Sequence, residues 1–315
     1  MTKPKIRIAL LRGGRSGERE ISLLTGQKIA QALDKDRYEV TQYDPRDDLN
    51  QFLKDWQEGK FDLVFPALHG PYGEDGRLQG LMDTLGVPYL FSGCLASALA
   101  MHKHKTKAVL EKAGIPVLPD RLLVKDKSYD IGSLPLPAVI KPVEMGSSVG
   151  ISIAKTKDEL AQGIEAAFAY DHSVMVEKYA KGRELTVAVL GNQPPEALPV
   201  IEIIPRESEW FDYKAKYQSD ATEEICPAGI PEEVRDKVQS YALTAFRALG
   251  CQDLARADFI WSDGGELYCL EVNTIPGMTD ASLVPKAAQA AGLSFSQFLD
   301  KLIQIGLERI KKINP

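Results

Sequence analysis

The 315-residue sequence has little of what builds metal clusters or covalent cross-links: four cysteines and four histidines. Cys94, Cys226, Cys251 and Cys269 form no Cys-x-x-Cys pair, and no Cys/His group has zinc spacing. Neither a zinc site nor a disulfide framework is expected. Each cysteine stands among apolar or small residues, which reads as a reduced thiol in or near a core. Excess positive charge is also missing. The formal net charge is −6, which argues against non-specific nucleic-acid binding or docking to an anionic membrane. A small anionic ligand stays open, because a local site can be basic on an acidic protein. No apolar run approaches the roughly 20 residues that cross a bilayer. The opening MTKPKIRIALL is too short for a secretory leader, so a cytoplasmic location is expected. There is no Walker A pattern and no G-x-G-x-x-G, which counts against a dehydrogenase. There is also no internal repeat and no low-complexity tract.

What is present alternates. IRIALL (6–11), YEVTQYD (38–44) and FDLVFPALHG (61–70) read as strands. Helical spacing covers 20–33, 49–57 and 76–86, and VPYLFSG after it reads as a short strand. This β-α-β-α-β order predicts a parallel sheet with helices on its faces. Residues 94–117 read as a helix pair. A loop-rich stretch with several prolines follows (118–142), then short β runs at 138–142, 150–155, 174–180, 184–191 and 197–204, with a helix over 157–169. That is the pattern of a small α+β domain with antiparallel strands. A polar loop (205–224) precedes a helix over 231–250, a hairpin turned at DGG, and an amphipathic terminal helix. The length predicts two or three domains.

Several constellations carry chemistry. In LYCLEVNTIPGM (267–278) an apolar strand delivers Glu271 and Asn273 two residues apart, on one face. ARADFIW upstream would pair beside it and bring Asp258 to the same surface. Two carboxylates and an amide oxygen on a rigid sheet suit Mg²⁺, which completes its shell with water and phosphate. In PAVIKPVEMGSSVGISIAK (137–155) a strand carries Lys141 into a Gly-Ser loop and a second strand follows. Backbone amides of such a loop can cradle phosphate, with the lysine as a fixed charge; a plain hairpin turn is the alternative. VMVEKYAKGRELTV (174–187) sets Glu177, Lys178 and Tyr179 after one strand and Glu184 before the next. A strand edge there could pair with adenine and a carboxylate with ribose, although charges at strand ends are common. GGRSGERE (13–20) looks like a dinucleotide loop but lacks the glycine fingerprint.

Together these elements resemble the ATP-grasp superfamily. The blocks GGRSGEREISL, ALHGPYGEDGRLQGLMDTLGVPYLFSG, ASALAMHKHKTK, KPVEMGSSVGIS, FDYKAKYQSD, CPAGI, ARADF and EVNTIPGMTDASLVP resemble, in order and over nearly the whole chain, those of the D-alanine:D-alanine ligase family. The resemblance implies an amino-terminal parallel-sheet α/β domain (1–101) followed by two ATP-grasp α+β domains (102–187 and 188–315) that enclose ATP. It implies ligation of two D-alanines through an acyl phosphate for peptidoglycan precursors. ATP and Mg²⁺ come with it, with Mn²⁺ as a substitute, room for a monovalent cation, and a homodimer.

The resemblance also assigns residues. Glu18 would meet the ammonium of the first D-alanine, with His69 nearby. A carboxylate suits a helix N-terminus and can pair with –NH₃⁺; simple capping of the helix is the alternative. Lys103 and Lys141 would contact the α- and β-phosphates. Ser147 would close over the γ-phosphate and bond towards Tyr217. Glu177, Lys178 and Tyr179 would hold adenine, and Glu184 the ribose. Lys216 and Tyr217 would belong to a mobile loop that closes the site. Arg256 would face developing negative charge. Asp258, Glu271 and Asn273 would hold Mg²⁺. Gly277, Ser282 and Leu283 would shape the second D-alanine site. Tyr217 resembles the dipeptide-forming members rather than those taking D-lactate or D-serine. Two positions depart from the family pattern: His102, where Asp commonly precedes the lysine, and Met145 before the loop glycine. His102 and His104, beside Lys103, Lys105 and Lys107, read as a solvated basic helix end rather than metal ligands.

Overall fold

The computed structural model describes residues 4–205, 222–279 and 282–313. The first sheet is parallel. β1 (Ile6–Leu11) lies between β2 (Tyr38–Tyr43) and β3 (Leu63–Pro66). Ile8, Ala9, Leu10 and Leu11 are all buried, because a central parallel strand is covered on both faces and so reads as a continuous apolar run. Helices α1 (Arg19–Ala32) and α2 (Leu49–Gln57) make the crossovers, and α3 (Arg77–Leu85) stops at Gly86, a left-handed C-cap with φ 65°. VPYLFSG contributes only a single bridge, Val64 to Tyr89, so the expected fourth strand is not formed.

Helices α4 (Cys94–Met101) and α5 (Lys103–Lys112) lead to an antiparallel sheet. It comprises β4 (Asp120–Val124), β5 (Ala138–Pro142), β6 (Ser152–Ala154) and β7 (Ser173–Lys178), in the order β4-β7-β5-β6. α6 (Lys157–Ala167) covers one face and starts with a Thr156–Glu159 capping box. β4 falls in the stretch read as loop-rich. It is an edge strand in which only Leu123 is buried, so it shows no alternation to read.

The third sheet is antiparallel and six-stranded: β8 (Gly182–Leu190), β9 (Glu196–Ala197), β10 (Ile201–Pro205), β11 (Thr222–Ile225), β12 (Leu254–Ser262) and β13 (Leu267–Asn273). α7 (Glu232–Leu249) packs on β8 and β12. α8 (Leu283–Ala290) and β11 were not separable from loop by pattern, being short. The last helix, α9 (Phe295–Ile313), returns to the first sheet. Phe298, Leu299, Leu302 and Ile303 share one core with Ile8, Leu10 and Phe65. Arg309 seals that return by gripping buried Asp253 at 2.8 Å through two nitrogens.

The four cysteines are free. Cys251 and Cys269 are buried and Cys226 is intermediate, but Cys94 is exposed, because the first turn of α4 stands at the surface with Leu95. Among the described residues, no helix is long and apolar enough to cross a membrane.

Candidate active site

The loop after β1 turns on Gly13, at φ 86°. A Cβ there would sit 2.4 Å from Asp44 Oδ2, so the turn admits only glycine. The Gly13 amide donates to Ser22 Oγ at 2.8 Å and the Gly14 amide to Asp44 Oδ1 at 2.9 Å. These donors are therefore spoken for by the protein itself, and the loop is not a phosphate cradle. It delivers Glu18 to the start of α1, buried and making no side-chain capping bond. Instead Ser147 Oγ, from the Gly-Ser loop, donates to Glu18 Oε1. Two glycines crowd this carboxylate: a Cβ on Gly70 or on Gly146 would come within 2.6 Å of Glu18 Oε2.

His69 follows β3 and is buried, its Nε2 3.0 Å from Thr25 Oγ1. Burial lowers its pKa, against the opposing pull of Glu18. Arg256 projects from β12 and holds Asp258 with two bonds, Nε to Oδ1 at 2.9 Å and Nη2 to Oδ2 at 2.8 Å. Burial opposes the Arg256 charge, but Asp258 and, beyond it, Glu271 and Glu74 raise its pKa. The guanidinium therefore stays charged inside the protein.

The β12–β13 register sets Asp258 opposite Glu271 and Arg256 opposite Asn273. Thr186 Oγ1 donates to Asp258 Oδ1 at 2.5 Å, and the Ile275 amide donates to Asn273 Oδ1 at 3.0 Å. Two carboxylates and one amide oxygen on adjacent strands are hard donors suited to Mg²⁺. Among the described residues no group of three or more His, Cys, Asp or Glu is placed to hold a metal, so an ion here would draw the rest of its shell from phosphate and water.

Two chambers meet on this surface. Glu18, His69, Ser147, Arg256, Asn273, Gly277, Ser282 and Leu283 line the first. The second lies between the two antiparallel sheets and is lined by Lys141, Glu177, Tyr179, Glu184 and Asp258, with apolar walls from Val139, Ile153, Ile203 and Phe259. Lys103 and Glu271 line both, with 4.0 Å between Lys103 Nζ and Glu271 Oε2. Lys103 Nζ also donates to the Met145 carbonyl at 2.5 Å. Met145 contributes its main chain there, so the identity of its side chain is of little consequence to that bond. His102 accepts from the Lys105 amide at 3.3 Å and so caps α5.

Glu177 is almost fully buried and bridges two lysines, Lys107 and Lys141, at 2.6 Å each. Burial works against the Lys141 charge, but Glu177, with Glu271 and Glu184 behind it, outweighs burial and raises the pKa. The Lys178 and Tyr179 amides donate to the carbonyls of Pro119 and Pro137 at 2.9 and 3.0 Å, and the Lys178 side chain points to solvent. The helix end carrying Lys107 is not solvated as expected. Lys103 and Lys107 are buried, and His104 pairs with Asp120 at 2.6 Å, because i and i+4 put both lysines on the inward face. Lys216 and Tyr217 lie outside the described residues.

Sequence reasoning missed Lys107 and Glu74. Lys107 was signalled by its four-residue spacing from Lys103. Glu74 was signalled by its place in HGPYGEDG, a carboxylate in a glycine-rich loop just after a buried strand.

Comparison with known proteins decides the family. The profile described as D-ala D-ala ligase C-terminus matches residues 109–304, and that of the D-ala D-ala ligase N-terminus matches 43–94. The chain belongs to the D-alanine–D-alanine ligase family. The D-alanine--D-alanine ligase of Syntrophobacter fumaroxidans is 47% identical, over 98% of this chain and 100% of its own length. That of Desulfotalea psychrophila is also 47% identical, over 98% and 97%. Among solved structures, the ligase from Bacillus anthracis superposes with a TM-score of 0.87 at 37% identity, covering 98% of this chain and 99% of that one. The structure of the Bacillus anthracis ligase complexed with ATP gives 0.85 at 34% identity, covering 98% and 99%. The ATP-grasp fold of this ligase family is thus matched over 98% of the chain.

Proposed function

We propose that the chain joins two D-alanines into D-alanyl-D-alanine, using ATP, as a step towards peptidoglycan precursors. The observation that carries this reading is the meeting of two chambers at Lys103 and Glu271, the first of which we assign to the amino acids and the second to the nucleotide. A carboxylate is a poor acyl donor because its leaving group would be oxide. Moving the γ-phosphoryl group onto it makes an acyl phosphate, and that transfer requires the two chambers to touch.

Each side chain then has a task. Glu18 pairs with the ammonium of the first D-alanine while neutral His69 packs beside it. Lys103 and Lys141 offset phosphate charge, and Ser147 closes over the γ-phosphate. Glu177, Lys178 and Tyr179 border the adenine and Glu184 the ribose. Asp258, Glu271 and Asn273 would hold Mg²⁺, for which Mn²⁺ can substitute; when bound, the cation supplies charge opposite the phosphoryl oxygens. Arg256 faces the oxyanion formed when the second amine attacks. Gly277, Ser282 and Leu283 seat that second D-alanine so that its nitrogen meets the acyl carbon. Lys216 and Tyr217 belong to the segment that excludes water, without which the acyl phosphate hydrolyses. Three units divide this work, 1–101, 102–187 and 188–315, in a cytoplasmic homodimer.

The test is phosphate release from ATP and Mg²⁺ with D-alanine alone, compared with L-alanine and with D-alanine plus D-lactate or D-serine, products identified by mass. The expected result is release with D-alanine alone and a D-alanyl-D-alanine product. Release only when D-lactate or D-serine is added would overturn the acceptor assignment.

A further inference from the structure

Glu74 has no part in the scheme above, yet it lines the amino-acid chamber. Its Oε1 accepts the Gly70 amide at 2.9 Å. Its Oε2 is buried with no hydrogen-bond partner. A buried carboxyl oxygen left unpaired is costly, which asks for a reason. Gly70 sets its position relative to Glu18: the amide of Gly70 holds Glu74, and the Cα of Gly70 abuts Glu18 Oε2. Two carboxylates therefore flank one glycine in a chamber meant for two amino acids, and each amino acid arrives with an ammonium group.

We propose that Glu74 receives the ammonium of the acceptor amino acid and takes its proton, so that the amine can attack. This rests on the ligase reading of the site. The N–H bond breaks with its electron pair kept on nitrogen, and the proton goes to Glu74 Oε2. The freed lone pair forms the C–N bond at the acyl carbon. The C–O bond to the phosphoryl group then breaks, and the second nitrogen proton leaves with phosphate. Glu74 returns its proton to solvent as product leaves.

The surroundings suit the task. Burial comes first and Glu18 second in pushing the Glu74 carboxyl up to about 8, with Glu271 adding to them and the Gly70 amide and Arg256 opposing. A base poised near the working pH transfers protons best. The titratable groups that line the chamber with it are Glu18 ahead of α1, His69 after β3, Lys103 of α5, Glu224 of β11, Arg256 of β12 and Glu271 of β13. Beside it, Asp75 of the same loop pairs with Arg77 at the start of α3.

The experiment gives the acyl phosphate two acceptors. One is D-alanine, which arrives as an ammonium. The other is hydroxylamine, which is uncharged at neutral pH and needs no base. In Glu74→Gln, D-alanyl-D-alanine formation should fall by roughly 100-fold or more, while D-alanyl hydroxamate formation stays within about twofold of wild type. Equal loss of both products, or loss of neither, would overturn the proposal. Should the variant fail to fold, the wild-type ratio of dipeptide to hydroxamate across pH decides. With Glu74 as acceptor the ratio rises and levels off above about pH 8. A ratio that keeps climbing with the free-amine concentration would mean that the amine arrives already deprotonated. Absence of hydroxamate from wild type with ATP and D-alanine would instead count against the ligase reading itself.

Discussion

The loop after β1 and the loop after β5 both leave an apolar strand and both carry glycine and serine, yet they serve different chambers. In the first, the amides of Gly13 and Gly14 are taken by Ser22 and Asp44. The loop is rigid, and its product is the placement of Glu18. In the second, Ser147 and Ser148 adopt φ of 50° and 59°, a left-handed conformation that non-glycine residues hold only where their surroundings require it. Ser147 lines the first chamber and Ser148 the second, so this loop straddles the junction. A glycine-rich turn after a strand is thus an ambiguous sign until its amides are followed to their partners.

The contrast can be broken from either side. The largest effect is expected in the second chamber. Glu177→Gln leaves Lys107 and Lys141 without their shared buried partner, and should destabilise the fold by roughly 3–5 kcal/mol, read as a lowered urea midpoint. Gly13→Ala attacks the rigid loop instead. It forces both a left-handed φ and a contact with Asp44, and should cost roughly 2–4 kcal/mol by the same measurement. Ala at Gly13 with unchanged stability would show that the loop is more pliant than its hydrogen bonds imply.

Glu18→Gln separates the chambers functionally. Losing one charge-assisted contact of roughly 1.5–3 kcal/mol should raise the KM for D-alanine about tenfold to a hundredfold and leave the Kd of ATP alone. A matching loss of ATP affinity would mean that the first loop also reaches the nucleotide. The smallest effect is a pH slope. Burial holds the His69 pKa below its ordinary value. In the unfolded chain that imidazole takes a proton near pH 6.5, so the unfolded state binds more protons below that pH. Stability is therefore full above about pH 6.5 and falls as pH drops further. Thermal midpoints between pH 5 and pH 7.5 should show that fall in wild type and a weaker one in His69→Gln.

Much of the fold was legible because its strands and helices keep clear periods. β1 is an unbroken apolar run, and β13 alternates so that Glu271 and Asn273 share a face. The edge strand β4 was hidden because only Leu123 is buried, and charged neighbours break the pattern. At the site, the residue types and their order pointed to many of the side chains that line the two chambers, but Lys178 points to solvent, and Lys216 and Tyr217 lie outside the described residues. Spacing could set Lys107 on the same face as Lys103, but not name Glu177 as its partner or show that Ser147 reaches Glu18 within the first chamber. Those contacts depend on how separate sheets are set against each other, and no local pattern records that.

The account turns on phosphoryl transfer to an amino-acid carboxylate at the junction of the two chambers. The direct measurement is the isotopic content of the phosphate released when D-alanine carries heavy oxygen in its carboxylate. An acyl phosphate route moves one labelled oxygen from D-alanine into phosphate. Unlabelled phosphate, formed alongside dipeptide, would contradict it.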